Sequence, residues 1–213
     1  MARKPHEVSE RGGHQSSAGP SQAAKAPLGG REPHEVGERG GHIKWPAEAI
    51  WEAVVPLLPG FTVEVLPQVD STNSELMRRA RDGLTEPVLL VAEAQTAGRG
   101  RLGRSWASQP GDSLTFSLGL PLAPADWSGL SLVVGVSVAQ SLHPQLQLKW
   151  PNDVWLQDRK LGGILIETAT TTATAPGPAG PGRQVVIGVG LNLAPREGAG
   201  LSTPPAWVQE LEP

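Results

Sequence analysis

LQLKWPNDVWLQDRKLGGILIE, residues 146–167, is three short apolar runs broken by turn chemistry. LQLKW alternates, Pro-Asn-Asp at 151–153 supplies a turn, VWLQ follows, Asp158-Arg159 reverses the chain, and KLGGILIE runs to 167. Runs this short, spaced by turn residues, read as adjacent antiparallel strands. QVVIGVGLNL at 184–193 adds another, and upstream SLTFSLGL at 113–120, PVLLVAE at 87–93 and FTVEVL at 61–66 add three more.

Helical patterns fall between the strands. AEAIWEAVVPLL after Pro46 reads as a helix with proline in its first turn. In VDSTNSELMRRARDG, residues 69–83, Thr72 and Glu75 have capping-box spacing, Leu76 and Ala80 share a face, and Gly83 sits at the stop. LSLVVGVSVAQSLH at 130–143 is long enough for a helix lying on the sheet. The expected fold is α+β, a mixed, largely antiparallel sheet with helices mostly on one face, rather than a doubly wound one.

The chain has 213 residues, 38% of them hydrophobic, which suits one domain plus a tail. It has no cysteine, which excludes disulfides and thiolate metal sites. No long apolar run or secretory start is present, so a cytoplasmic protein without a membrane partner is expected. After residue 45 there are eleven basic side chains against sixteen acidic ones, and the general positive field of a nucleic-acid binder is lacking. Residues 1–44 are polar and repeat: PHEVSERGGH at 5–14 returns as PHEVGERGGH at 33–42. Such a segment buries too little surface to offset its ordering entropy and is expected to be disordered. Its His6, His14, His34 and His42 read either as a weak metal-binding tract or as a duplicated linker. ATTTATAPGPAGPG at 169–182 is expected to be a long mobile loop.

GRGRLGRSW, residues 98–106, holds three arginines and three glycines. Glycines free the backbone for tight turns and close approach, and arginines supply forked donors for phosphate and carboxylate oxygens. The combination suits a loop closing over an anion. GRGRLG also has the letters of a dinucleotide-binding fingerprint, but its Trp-Ala-Ser sequel is a poor helix start.

DSTN at 70–73, EAQTAGRGRLGRSW at 93–106, LKWPNDV at 148–154, RKLGGILIE at 159–167 and VIGVGLNL at 186–193 together resemble the biotin protein ligases, in family order, over residues 66–193. The related lipoate ligases carry a different arginine-glycine signature. The resemblance implies a catalytic core like that of class II aminoacyl-tRNA synthetases, within residues 45–213. It implies an ATP-dependent, Mg²⁺-requiring ligase that makes biotinyl-5′-AMP with release of pyrophosphate, then transfers biotin to a lysine of a biotin carboxyl carrier protein. Lys149 and Arg101 would be catalytic. Ser71, Thr72, Asn73, Gln95, Arg99, Gly100, Arg101 and Lys160 would hold biotin. Arg99, Arg101, Arg104, Lys149, Asn152, Asn192 and Trp207 would hold ATP or the adenylate, with Asn152 near the metal and no protein ligand to the metal assigned.

Several of these residues also have plain structural readings. Lys149 and Lys160 suit strand ends, Asn152 and Asp153 suit a turn, and Ser71 and Thr72 suit helix caps, a role compatible with ligand contact. Trp106 reads as a packing anchor beneath the loop, Gly162 and Gly163 as sites of close backbone approach, and Trp207 as either an adenine contact or ordinary packing. Family members that double as repressors carry an N-terminal winged helix, which residues 1–44 cannot form, so DNA binding is not expected. Family members also continue past the GLNL segment into a C-terminal domain, so the chain is expected to be truncated, and a biotin-binding module without turnover is the alternative. A homodimer is compatible with the family.

Overall fold

The computed structural model describes residues 43–170, 183–195 and 203–211. The repetitive tail, its histidines and nearly all of the 169–182 connection lie outside the described residues.

α1 (Ala47–Val54) begins after Pro46 and is shorter than its apolar run, which reaches Leu58. Pro56 has no N–H to give and its ring disfavours a continuing helix, so the chain leaves in turns with Leu57 exposed. β1 (Thr62–Val69) leads into α2 (Thr72–Arg81), which crosses over to β2 (Val88–Gln95), and the two strands pair in parallel. The cap of α2 lies one residue earlier than the spacing suggested. Ser71 is extended and its Oγ accepts from Ser74 N at 3.4 Å, while Glu75 turns to Arg78 and Arg79 instead of back to the cap. Leu76 and Ala80 are buried together, and Gly83 takes the positive φ that ends the helix.

β3 (Ser113–Leu122), α3 (Leu130–Leu142), β4 (Gln147–Lys149), β5 (Asp153–Leu156), β6 (Arg159–Ala169) and β7 (Arg183–Asn192) complete the sheet. Its order is β1-β2-β3-β7-β6-β5-β4, and every neighbouring pair after β1–β2 is antiparallel. The mixed, largely antiparallel sheet is thus the expected one. The β5–β6 turn falls at Gln157 and Asp158, both at positive φ, one residue before the expected position, and Arg159 already belongs to β6.

Strand register sorts the side chains into two faces. Thr115, Ser117 and Gly119 of β3 lie opposite Gly190, Gly188 and Val186 of β7, which in turn face Gly163, Leu165 and Glu167 of β6. α2 packs on this face, with Leu76 and Met77 against Leu90 and Val186. α3 packs on the other face, where Ala139 joins Val154, Ile164, Val189 and Leu191. α2 therefore departs from a one-face arrangement of helices, and its N-terminus enters the polar face of the sheet. Full burial of side chains such as Leu90 and Val186 stabilises the fold by about 1.5–3 kcal/mol each.

Candidate active site

The start of α2 is fixed by a directed hydrogen-bond network. Thr72 N donates to Gln95 Oε1 at 2.7 Å. Asn73 Nδ2 donates to the Leu165 carbonyl at 3.1 Å and to Glu167 Oε2 at 3.0 Å, which orients the amide and leaves Oδ1 as a buried acceptor. Ser117 Oγ, at 2.7 Å, supplies the proton that Oδ1 needs. A hydroxyl has one hydrogen to give, so the Ser117 oxygen accepts from Thr72 Oγ1, also at 2.7 Å. The amide is seated against β7 so closely that a side chain at Gly188 would have no room.

The glycine-arginine segment folds as a small hairpin standing on the same face. Trp106 N donates to Gly98 O at 2.8 Å, Gly100 N donates to Arg104 O at 2.7 Å, and Leu102 and Gly103 take positive φ at the tip. Trp106 anchors its base, with the indole lying where a Cβ of Gly190 would meet it at 2.6 Å. Arg99 forks onto Glu167, with distances of 2.9 and 3.2 Å. Arg101 donates to Asn152 Oδ1 at 3.3 Å, and Asn152 Nδ2 is turned away onto the Ile164 carbonyl at 2.8 Å. The Arg104 side chain has no hydrogen-bond partner among the described residues.

Across the site Lys160 Nζ donates to Asp153 Oδ1 at 2.8 Å. The Lys160 backbone is held by residues 204–206: its N–H donates to Pro204 O at 2.9 Å and its carbonyl accepts from Ala206 N at 2.8 Å. Asn192 Nδ2 reaches the Lys160 and Ala206 carbonyls at 3.3 and 3.0 Å, tying that segment to β7.

These elements enclose a cavity of about 570 Å³, within the size range of small-molecule sites. Its lining carries four cations, Arg99, Arg101, Arg104 and Lys160, against one carboxylate, Asp153. Such a wall suits an anionic ligand. Next to the site, the Arg78 fork holds the Asp70 carboxyl down at about 2, and Arg79 and Arg78 lower Glu75. Both bonds stiffen the entry to α2, because Asp70 Oδ1 also accepts from Ser71 N at 2.7 Å.

Of the residues singled out in the sequence, Ser71, Thr72, Asn73, Gln95, Arg99, Gly100, Arg101, Arg104, Asn152, Lys160 and Asn192 line this cavity. Lys149 and Trp207 are not in its wall. The Lys149 ammonium stands 3.8 Å from the centre of the Trp155 ring, and the Trp207 ring lies 5.8 Å from the Arg159 guanidinium. Asp153, read as a turn residue, begins β5 and holds Lys160. The two adjacent glycines of β6 differ: a Cβ on Gly162 would strike Gly190 O at 2.7 Å, whereas one on Gly163 would rest in ordinary contact beside Lys160. The sequence reading missed Ser117 and Glu167. Ser117 had a signal, since Ser113, Thr115, Ser117 and Gly119 alternate with Leu114, Phe116, Leu118 and Leu120.

Among known proteins, the biotin/lipoate A/B protein ligase family matches residues 65–192. The chain belongs to that family. Within it, the chain is 44% identical over 145 residues to the bifunctional ligase/repressor BirA of Escherichia coli, covering 65% of this chain and 43% of the relative. It is 39% identical over 148 residues to the biotin–[acetyl-CoA-carboxylase] ligase of Mycobacterium tuberculosis, covering 63% and 51%. The chain spans about half the length of these curated relatives. Among solved structures, the biotin protein ligase from Aquifex aeolicus in complex with biotin and ATP superimposes with a TM-score of 0.52 at 33% identity, over 70% of this chain and 60% of that one. The family fold is the class II aminoacyl-tRNA synthetase-like core, and this sheet is its version in the biotin/lipoate ligase chain. No helix among the described residues is long and apolar enough to cross a membrane.

Proposed function

We propose that this biotin/lipoate ligase chain is an ATP-dependent biotin protein ligase that activates biotin as biotinyl-5′-AMP and passes the biotinyl group to a lysine of a biotin carboxyl carrier protein. The observation that carries the reading is the cavity itself: a cation-rich wall and glycine-arginine hairpin facing a floor of buried, oriented polar groups. Its support is the matched family, the named activity of the relatives, and a superimposing ligase complex that holds biotin and ATP.

In the first step a biotin carboxylate oxygen bonds to the α-phosphorus and pyrophosphate leaves. Two anions must be brought together, and fixed cations lower that barrier. In this reading Lys160 holds the carboxylate and Arg101 and Arg104 the phosphates, while Thr72, Asn73 and Gln95 offer polar atoms to the ureido head. Ser71 and Gly100 complete the biotin wall and Asn192 the adenylate side, which Trp207, outside the wall, reaches only by turning from Arg159. Lys149 takes the α-phosphate, which requires its ammonium to leave the Trp155 ring. In the second step the carrier amine bonds to the acyl carbon and AMP leaves. The anhydride is prone to hydrolysis, and a hairpin folded over it keeps water away.

Mg²⁺ would supply charge neutralisation of the phosphates. The donors here, one carboxylate at Asp153 and one amide at Asn152, fit an ion that is carried mainly on the nucleotide. Among the described residues no group of three or more His, Cys, Asp or Glu is arranged to hold a metal.

The deciding experiment is pyrophosphate release from the 213-residue chain with Mg-ATP, with and without biotin, using lipoate and octanoate as controls. Release that depends on biotin is expected. A folded chain that binds biotin without releasing pyrophosphate would overturn the enzymatic reading, and release driven equally by lipoate would overturn the substrate.

A further inference from the structure

Trp106 seats the base of the hairpin 98–106 on β7, and the arginines tie the remainder of it to the rest of the protein. Among the described residues its arginines reach outward at two places: Arg101 makes one bond of 3.3 Å to Asn152, and Arg99 makes a two-pronged contact with Glu167 supplemented by Ser74 Oγ at 3.3 Å. Glu167 is not a loose surface carboxylate. Asn73 Nδ2 holds its Oε2 at 3.0 Å, and Asn73 is in turn fixed by Leu165 O, by Ser117 and by the backbone of β7 at Gly188. The carboxylate that receives Arg99 is therefore set in place by the floor of the site.

We propose that Glu167 is the anchor of the glycine-arginine hairpin, and that Arg99 is a positioning residue that serves this anchor instead of gripping the ligand. The proposal refines the biotin-ligase reading and rests on it for its catalytic consequence. Arg99 already donates from Nη2 to Oε1 at 2.9 Å and from Nη1 to Oε2 at 3.2 Å, the forked geometry that guanidinium and carboxylate favour. For a phosphate to recruit Arg99, this fork must open, leaving the Glu167 charge unpaired beside an incoming anion. Arg101, with one bond to a neutral amide, Arg104, with none among the described residues, and Lys160 require no such exchange of a two-pronged pair. Anion binding therefore falls to these three, and Arg99 holds the frame from which Arg101 and Arg104 project. Glu167 itself is absent from the cavity wall, as suits an anchor set behind it.

The test begins without substrate. Hydrogen–deuterium exchange of amides 98–106 is compared in the ligand-free parent chain, Glu167→Gln, Arg99→Ala, Arg99→Lys and the double variant Glu167→Gln/Arg99→Ala. Loss of a charge-assisted pair at a half-exposed site should speed exchange of the hairpin roughly five- to tenfold in Glu167→Gln and Arg99→Ala. The double variant should match the singles, and Arg99→Lys, which keeps the charge, should recover part of the protection. With biotin and Mg-ATP, the same variants should leak biotinyl-adenylate faster while KM for ATP stays within about twofold, as expected when an interaction other than ground-state ATP binding is lost. Unchanged hairpin exchange in Arg99→Ala, accelerations that add in the double variant, or a tenfold rise in KM for ATP in Arg99→Ala alone would each overturn the proposal. Should Glu167→Gln fail to fold, the two Arg99 variants carry the test, since that side chain is half-exposed. Because the exchange measurement uses no biotin or ATP, it stands even if the ligase reading fails, and a lack of biotin-dependent turnover in the parent chain marks that separate failure.

Discussion

Asn73 Oδ1 lies 2.0 Å from the point where a Cβ on Gly188 would stand. The amide and the β7 backbone occupy one volume, and the floor of the cavity exists only because residue 188 has no side chain. Gly188→Ala should push Asn73 off its partners and lower stability by about 2–4 kcal/mol, as for other strained core substitutions. Denaturant unfolding checks the size, and a loss below 1 kcal/mol would show that α2 shifts freely.

Ser117→Ala should leave Asn73 Oδ1 buried without a donor, at a cost of about 1–3 kcal/mol. The direction assigned to the network is at stake in the same unfolding measurement. A neutral substitution would mean that Ser117 donates to Thr72 instead.

Removing the Lys160 ammonium tests the carboxylate role. Lys160→Ala should weaken biotin binding about ten- to hundredfold in calorimetry, the range for loss of one charge-assisted hydrogen bond in a sheltered site. Asp153→Asn, which relieves Lys160 of its partner at 2.8 Å, should leave biotin binding unchanged or tighter. Weaker binding in Asp153→Asn would show that the carboxylate is needed to aim the lysine.

Acid stability follows from Asp70 and Glu75. Their folded-state pKa values lie below the ordinary carboxylate range, that of Asp70 at about 2 through its bonds to Arg78, that of Glu75 through Arg79 and Arg78. A lowered folded pKa adds stability that is fully present above the unfolded value and is lost as pH falls through the folded one. Tm should hold down to about pH 4 and decline toward pH 2, and Asp70→Asn should show a shallower decline. An identical acid limb in that variant would place the effect on other carboxylates.

The order of strands along the chain was legible because short apolar runs between turn residues leave few alternatives, and the end of α2 was legible at Gly83. Boundaries slipped where backbone chemistry outweighed pattern: Pro56 stopped α1 early, and Gln157 took a positive φ that its residue type does not advertise. Among the site residues, the motif arginines, Lys160, Gln95 and Ser71, Thr72 and Asn73 all reached one cavity; the resemblance named them together, whereas their residue types alone suited strand ends, turns and caps equally well. Glu167 was illegible, because its partner Arg99 is 68 positions away and only the sheet register brings them together. Lys149, named by its motif, stands outside the cavity wall with its ammonium on the Trp155 ring, a position that the motif alone does not disclose.

β3 and β7 share a register running from Ser113 opposite Asn192 to Leu122 opposite Arg183. To one side stands the β1–α2–β2 unit, to the other a series of hairpins, each built from near neighbours in sequence. The joint between them must wait for distant segments to meet, and such pairings close slowly. Thr115 lines the cavity from one side of this joint, Gly188 and Gly190 from the other. A small molecule seated there is therefore a clasp across the two halves, and its binding free energy is added to the work of prising the sheet apart.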